Sequence, residues 1–505
     1  MNPFIERHQD SISGVLSCFD RVVITGTLPD ICYAGAMAGF LSYHKIRIFD
    51  YPNWANGIRD EIRQHTEDLA QQGGVEIEFI RRHKAFRKEE RIKSIIQERG
   101  DHPGLVHIFS AMESCTAFRP WHDKTTHHTF LKTTQGKCLH YYFYFIDEAF
   151  GLCYLRLPTW APFRLQIYFN GHAWLARKLD QAGIAFDLLD NAFLSVSEPD
   201  RAQQLADSLD AKQLHRRLDR WAQTYFPFAA RFRNPYYWSF MQVEYATDVV
   251  FRRQSEFQPL YENIVRSVVQ DIKADQVATF LSRKLTANYR DELGNDFSTR
   301  IQGTRIRHRM GSTSIKLYDK FGLIARVECT TNDVSFFKHR REVEQRNGET
   351  VLKNAPLRKT IHSLKTLRQL MGAANQRYLA FVADIDNPTS GLKDCDKISS
   401  PAKQNNRSYR GFNLFLQQDL QVILTLFRGE WTISGFRARD LRAHIQGLSP
   451  SQSSYLLKRL RTHGLIKKVG HCYKYYLTKL GRRVLATALK LKQQLIIPSL
   501  CQYPV

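Results

Sequence analysis

Metal-dependent cutting of nucleic acid needs several carboxylates converging on a divalent ion, because hard cations prefer oxygen and the ion must clamp the attacking and leaving groups. Asp20 directly precedes a strand read at Arg21–Leu28, and Asp147 closes one read at His140–Ile146, positions from which a side chain can enter a shared cleft. Glu244 and Asp248 stand at i, i+4 in the run WSFMQVEYATDVVFRRQ and share one helix face if that run is helical. Such a set suits a nuclease or DNA strand-transferase using Mg²⁺. Acids in these places also serve as caps and surface charge, so catalysis is one of two explanations.

Other chemistry is less well supplied. Cys115, His122, His127, His128, Cys138 and His140 have the residue types of a zinc site but lack C-x₂-C or H-x₃-H spacing. They read better as a polar hairpin loop, and no structural metal is assigned to them. Gly26, Gly35 and Gly39 form no dinucleotide fingerprint and no Walker loop is present, which speaks against NTP- or NAD-driven chemistry. Arg81, Arg82, Lys84, Arg87, Lys88, Arg91 and Lys93 make either a solvated helix face or a second phosphate contact. The aromatic segment Tyr141–Phe145 reads as a buried strand before it reads as a base-stacking platform. The nine cysteines form no paired framework, as expected in a reducing compartment.

The elements that must position these residues read as α+β and multidomain. Strand-like runs at Arg21–Leu28, Lys45–Asp50, Val75–Ile80 and Gly104–Phe109 alternate with helical patterns at Trp54–Gln72 and Ala85–Arg99, an order that favours parallel crossovers. A hairpin (His140–Ile146 and Leu152–Thr159) and a helix near Gln166–Ala182 complete an α/β domain at 1–195. Residues 196–383 read as a second domain, helical to about 285, with period-two strands from 301 to 331 and a helix at Lys359–Val382. A polar linker at 384–410 leads to a last domain at 411–505.

Charge names the partner class. Among 505 residues, 73 Lys+Arg against 49 Asp+Glu leave +24, and nucleic acid is the commonest polyanion open to such a protein. Residues 401–505 hold 18 basic and 3 acidic residues, a net +15. The richest apolar stretch, Tyr141–Leu157, is broken by Asp147, Glu148 and Arg156, which excludes a helical membrane span there. The polar start MNPFIERHQDSISG has no secretory pattern. A cytoplasmic protein, nucleoid-associated in a prokaryote, is expected.

Two stretches could meet that polyanion. In the first, Arg305, Arg307 and Arg309 alternate along one strand face. A hairpin follows, Ile315–Asp319 and Leu323–Thr330, expected to pair Leu317 with Ala325 and Lys316 with Arg326. Opposed cations want an anion between them, so Lys316 and Arg326 join the three arginines as a phosphate track, a solvated basic face being the alternative. The hairpin resembles a strand pair K-x-Y-D-K…R-x-E of rolling-circle replication initiators, carried here by Lys316, Tyr318, Asp319, Lys320, Arg326 and Glu328. That resemblance implies a carboxylate such as Glu328 helping to hold a divalent metal and a tyrosine attacking DNA; Tyr318 is a candidate inside the motif, though the sequence singles out no one tyrosine as the nucleophile.

In the second, Ser449 is placed to cap a helix at Pro450–His463 whose Leu456, Leu457 and Leu460 face inward, and two strands follow around Gly470. Gln452, Tyr455, Lys458 and Arg459 occupy its other faces. The run LSPSQSSYLLKRLRTHGLIKKVGHCYKYYLTKLGRRV resembles the recognition helix and wing of MarR-type winged helix-turn-helix proteins. The resemblance implies a helix in the DNA major groove. By position Ser451, Gln452, Ser454, Tyr455 and Lys458 would meet bases or phosphates, and Lys467, Lys468, His471 and Lys474 would belong to the wing. The sequence thus leads to an intracellular DNA-binding protein. A metal-dependent DNA-cleaving or strand-transfer enzyme of a mobile element is the alternative, and an RNA-binding protein a weaker one.

Overall fold

A computed structural model of the chain describes residues 2–81, 86–272, 274–283, 293–300, 303–385, 396–413, 415–426, 431, 435–470, 473–478, 480–481 and 484. The chain divides into two compact units, Met1–Ile385 and Asp386–Val505. No helix among the described residues is long and apolar enough to cross a membrane.

The first unit is built on one sheet. Its strands are β1 (Ile12–Thr27), β2 (Ile77–Phe79), β3 (Gly104–Asp123), β4 (His128–Asp147), β5 (Gly151–Pro158) and β6 (Leu165–Asn170). A separate hairpin, β7 (Phe186–Leu189) and β8 (Ala192–Val196), precedes β9 (Tyr237–Phe251), β10 (Leu293–Arg300), β11 (Gly303–Met310), β12 (Thr313–Lys320) and β13 (Ile324–Thr331). The order across the sheet is β10-β11-β12-β13-β9-β1-β6-β5-β4-β3-β2.

This architecture corrects three expectations. Neighbours are antiparallel except β2 and β3, so the β-α-β-α-β order does not build a parallel sheet. The division at 195/196 does not hold, because β1 pairs along its length with β9 and draws both expected domains into one unit. The run holding Glu244 and Asp248 is the strand β9 and not a helix. A spacing of four is even, so it places both acids on one strand face as well as on one helix face. The β-branched and aromatic content of VEYATDVVF favours the strand.

One face of the sheet carries the main core. Phe19, Val22, Tyr245, Val249, Ile315, Leu317 and Val327 are buried there with Leu367, Met371 and Tyr378 from the helix Leu364–Ile385. The helix Tyr51–Gly73 buries Tyr51, Ala55, Ile58, Ile62, Thr66 and Ala70, a stripe at helical spacing, and ends at Gly74 with φ 60°. The opposite face holds a second cluster over β3 and β4, where Phe109, Tyr142 and Tyr144 meet Ile92 of the helix Lys88–Arg99. Tyr141–Phe145 is therefore buried strand, shared between the two faces.

The second unit contains the helices Gln417–Leu426, Ala438–His444 and Pro450–Thr462, then the paired strands Ile466–Val469 and Lys474–Leu477. Phe436 bridges to Tyr475 beside that pair. The stretch read as a linker contributes paired strands Ala402–Gln404 and Arg407–Tyr409 to this unit, with Tyr409 buried. The sequence also predicts a closing helix at about Leu480–Leu491, which lies almost wholly outside the described residues.

Candidate active site

The face opposite the main core carries the charges. Directly paired residues share a face, and the ladder pairs Arg307 with Lys316, Lys316 with Glu328, Tyr318 with Arg326, and Arg326 with Asp248. Between Phe19 and Val22 the β1–β9 register shifts, so Asp20 and Arg21 together stand against Glu244. This bulge puts a carboxylate and a guanidinium side by side on the charged face, the kind of re-aiming that bulges near functional sites provide.

One end of the cluster is closed. Arg326 is fully buried and donates from Nε and Nη2 to Asp248 at 2.6 and 2.6 Å, from Nη1 to Asp20 at 3.3 Å and from Nη2 to the Asn191 carbonyl at 2.6 Å. Asp20 also accepts from Asn170 at 3.0 Å and Asn191 at 2.8 Å. Asn170 caps the helix Gly171–Gln181 and accepts from the His172 and Ala173 amides. That helix can start here because residue 171 is glycine: a Cβ would lie 1.9 Å from the Phe19 carbonyl oxygen. The close approach sets His172 3.3 Å from Asp20 and 3.8 Å from Asp248. Burial and Arg326 oppose a charged imidazole, but Cys18 and the two carboxylates prevail and raise His172 well above its ordinary range. Burial would likewise raise Asp20; His172, Arg326 and Asn191 outweigh it and hold the carboxyl well below its usual range.

The other end is more open. Oxygens of Asp20, Glu244 and Glu328 all lie within 4.8 Å of one another, the group among the described residues whose acid, histidine or cysteine ligand atoms converge in this way. Glu328 accepts from Tyr318 at 2.7 Å, Lys316 at 2.5 Å and Thr330 at 3.0 Å. Lys316 lies 3.7 Å from Glu244, whose side chain is 16% exposed. Burial and the Glu328 carboxylate push Glu244 above the ordinary glutamate range, and Lys316 and Arg21 offset them only in part. Burial and Glu328 raise the Tyr318 phenol well above its ordinary value, so it stands as a neutral donor. Three oxygen donors crowded at one point suit a hard divalent cation.

No family model matches the chain, and no curated protein matches it. Among solved structures it is similar to the rolling circle replication initiator protein from Geobacillus stearothermophilus, at 10% identity and a TM-score of 0.20, over 63% of this chain and 75% of that one. A superposition that loose bears on neither fold nor activity.

The remaining expected site residues fall in different places. Asp147 lies outside the cluster: it accepts from the Ala149 and Phe150 amides, from Arg217 at 3.2 Å and from Trp221 at 3.0 Å, a buried turn. Arg326, expected on a phosphate track, is the counter-ion of Asp248 with no exposed surface. The hairpin register is slipped by two residues from expectation, pairing Leu317 with Val327 and Lys316 with Glu328. A slip of two keeps every face and replaces an opposed cation pair with an ion pair. Arg305 and Arg307 are half-buried, each with an Nε lacking a hydrogen-bond partner, and Arg309 is exposed. Of the candidate zinc residues, Cys138 and His140 are buried neighbours with sulfur and Nδ1 3.8 Å apart, whereas His122, His127 and His128 are exposed at the far hairpin turn.

Sequence reasoning missed His172, Asn170, Asn191 and Arg21. The run FNGHAW held a readable signal, an N-cap asparagine before a glycine where a helix begins. Asn191 sits at the β7–β8 turn and carried none.

In the second unit, Ser449 and Gln452 form a reciprocal capping box at the start of the helix Pro450–Thr462. Ser451, Gln452, Ser454, Tyr455 and Lys458 are exposed along it; Lys467 is exposed, Lys468 and Lys474 are half-buried, and His471 lies outside the described residues. Arg459, expected on an open face, is buried: it donates to Asp419 at 2.8 and 2.9 Å and lies 3.8 Å over the Phe412 ring.

Proposed function

We propose that the Met1–Ile385 unit cuts or transfers nucleic-acid strands with a divalent cation held by Asp20, Glu244 and Glu328, and that the Asp386–Val505 unit is a winged helix that binds DNA. The observation that carries the catalytic reading is the convergence of three carboxylates from the neighbouring strands β1, β9 and β13. The donor set fits such an ion: all ligands are oxygen, and burial together with the Glu328 carboxylate raises Glu244. When bound, the ion would polarise a phosphoryl oxygen and lower the pKa of an attacking oxygen. The chain's own groups then have defined work. Tyr318 orients Glu328 by donating to its Oε2, Lys316 sets an ammonium beside both glutamates, and Arg21 stands beside Glu244 where phosphate charge can be met.

The winged-helix reading rests on the element order helix, helix, helix, strand, strand, on the Phe436–Tyr475 bridge beside the hairpin, and on the open polar face of the capped helix. A second reading has its own support: every acid in the cluster has a cationic neighbour, as in a purely structural ion network of a binding protein. Incubating the full chain with supercoiled plasmid and with circular single-stranded DNA, with and without Mg²⁺ or Mn²⁺, separates the two. Catalysis predicts a cation-dependent nicked, linear or joined product that Glu244→Gln and Glu328→Gln each reduce at least about a hundredfold, with DNA affinity retained. Product formation unchanged in both variants removes the centre from these residues. No product on any substrate favours the binding protein. Lys458→Ala with Lys467→Ala should lower the salt slope of duplex binding by about 1.8; an unchanged slope takes the capped helix out of the interface.

A further inference from the structure

The pairing of β4 with β5 begins at His140↔Pro158, so from Leu139 to the turn the strands β3 and β4 are laddered only to each other. One face of this ribbon packs down: Phe118 and Leu131 are buried, with the Phe118 ring 6.2 Å from Tyr51. Alternation turns Arg119, Trp121, Phe130 and Lys132 to the other face. By register this is the face of Glu113, Tyr142 and Arg156, and three strands on, of the clustered carboxylates.

Two features of that face call for a ligand. Arg119 and Lys132 are directly opposed and both exposed, a pairing that destabilises a ladder unless an anion lies between. The nearby acids are engaged elsewhere: Glu113 binds Arg156 at 2.5 Å and Tyr142 at 2.6 Å, and Asp123 accepts from the Thr125 and Thr126 amides within the turn. No ion pair engages Arg119 or Lys132 among the described residues. Beside them are flat rings. Trp121 is 47% exposed with the Lys132 ammonium 5.2 Å from its centroid, and His128 stacks on Phe130 at 6.0 Å and 16°. Cations spaced among aromatic rings on one strand face are what a single strand uses, phosphates on the charges and bases on the rings.

We propose that this ribbon face binds single-stranded nucleic acid, with Arg119 and Lys132 on phosphates and Trp121 under a base. The proposal rests on nucleic acid being the partner and is independent of the carboxylate centre. The test uses the full chain and a fluorescein-labelled oligothymidine, read by anisotropy across a salt series and by tryptophan emission. Binding should quench emission. Trp121→Ala should weaken it about tenfold, with most affinity kept in Trp121→Phe. Arg119→Ala with Lys132→Ala should lower the salt slope by about 1.4. Arg346→Ala, which removes an exposed cation outside the ribbon and the carboxylate centre, should bind as the parent does, so loss confined to the ribbon variants supports the ribbon whether or not the chain cuts DNA. Unchanged affinity and slope in both ribbon variants overturn the proposal, even in a chain that cleaves. An equal loss on a duplex of the same length overturns it too, because it assigns the face to duplex.

Discussion

The charged face has two ends that differ in kind, although the same residue types build both. At one end Arg326 makes a two-point contact with Asp248 and a further one with Asp20, fully buried and backed by His172 and Asn191. At the other, Lys316 makes a single-point contact with Glu328, lies farther from Glu244, and keeps part of its surface in solvent. A planar guanidinium in a dry site is fixed by geometry, and its partners lose a great deal if it goes. An ammonium on a flexible stem is an exchangeable charge, and the acids around it can take another cation instead. The first end builds the face, and the second is where the proposed cation would sit.

Three substitutions break or sharpen this contrast, in falling order of effect. Arg326→Met leaves Asp248 buried without its counter-ion and should cost about 3–5 kcal/mol, read as a lower urea midpoint or as insoluble chain. A loss as small as that of a surface pair would mean the Arg326 end is not structural. Lys316→Met should cost about 1–2 kcal/mol without divalent cation. It should also make the protein respond more strongly to Mg²⁺, with a larger rise in Tm than the parent shows; equal rises in both would deny that lysine and cation compete for the glutamates. The smallest effect lies off the charged face, at Asp319 on the other side of β12, which burial raises to about 6 against a hydrogen bond from the Gly322 amide. A carboxyl raised in the folded state binds more protons there than in the unfolded chain, so its own contribution to stability falls as pH rises from about 4 to about 6. Asp319→Asn should remove that contribution, so the variant gains about 1 kcal/mol on the parent across the range in urea titrations; a variant that loses ground on the parent there would reverse the sign.

What could be read from the sequence follows the range of the interactions. Even spacing put Glu244 and Asp248 together whether the run was helix or strand. Alternation placed Lys316, Tyr318, Arg326 and Glu328 on one face despite the two-residue slip, because a slip of two preserves parity. Helix ends with a local signal, such as Ser449 and Pro450, fell where their chemistry put them. Long-range pairing was not legible. Arg326 and Arg459 read as open cations, and each is buried on an aspartate, Asp248 or Asp419, supplied by a distant segment. Asp147 failed for the same reason: the position at a strand end was right, but Arg217 and Trp221 claim it from elsewhere. The parallel sheet failed because nothing local tells that β1 will pair with β9.

The contact of Gly171 with the Phe19 carbonyl ties this chemistry to main chain. One added methyl would wedge the helix away from the strand, and the imidazole shared by two aspartates would travel with it. Every acid on the charged face could stay in place and the face would still lose its pivot. The least reactive residue of the region is thus the one with the narrowest tolerance, and its role is to take up no space.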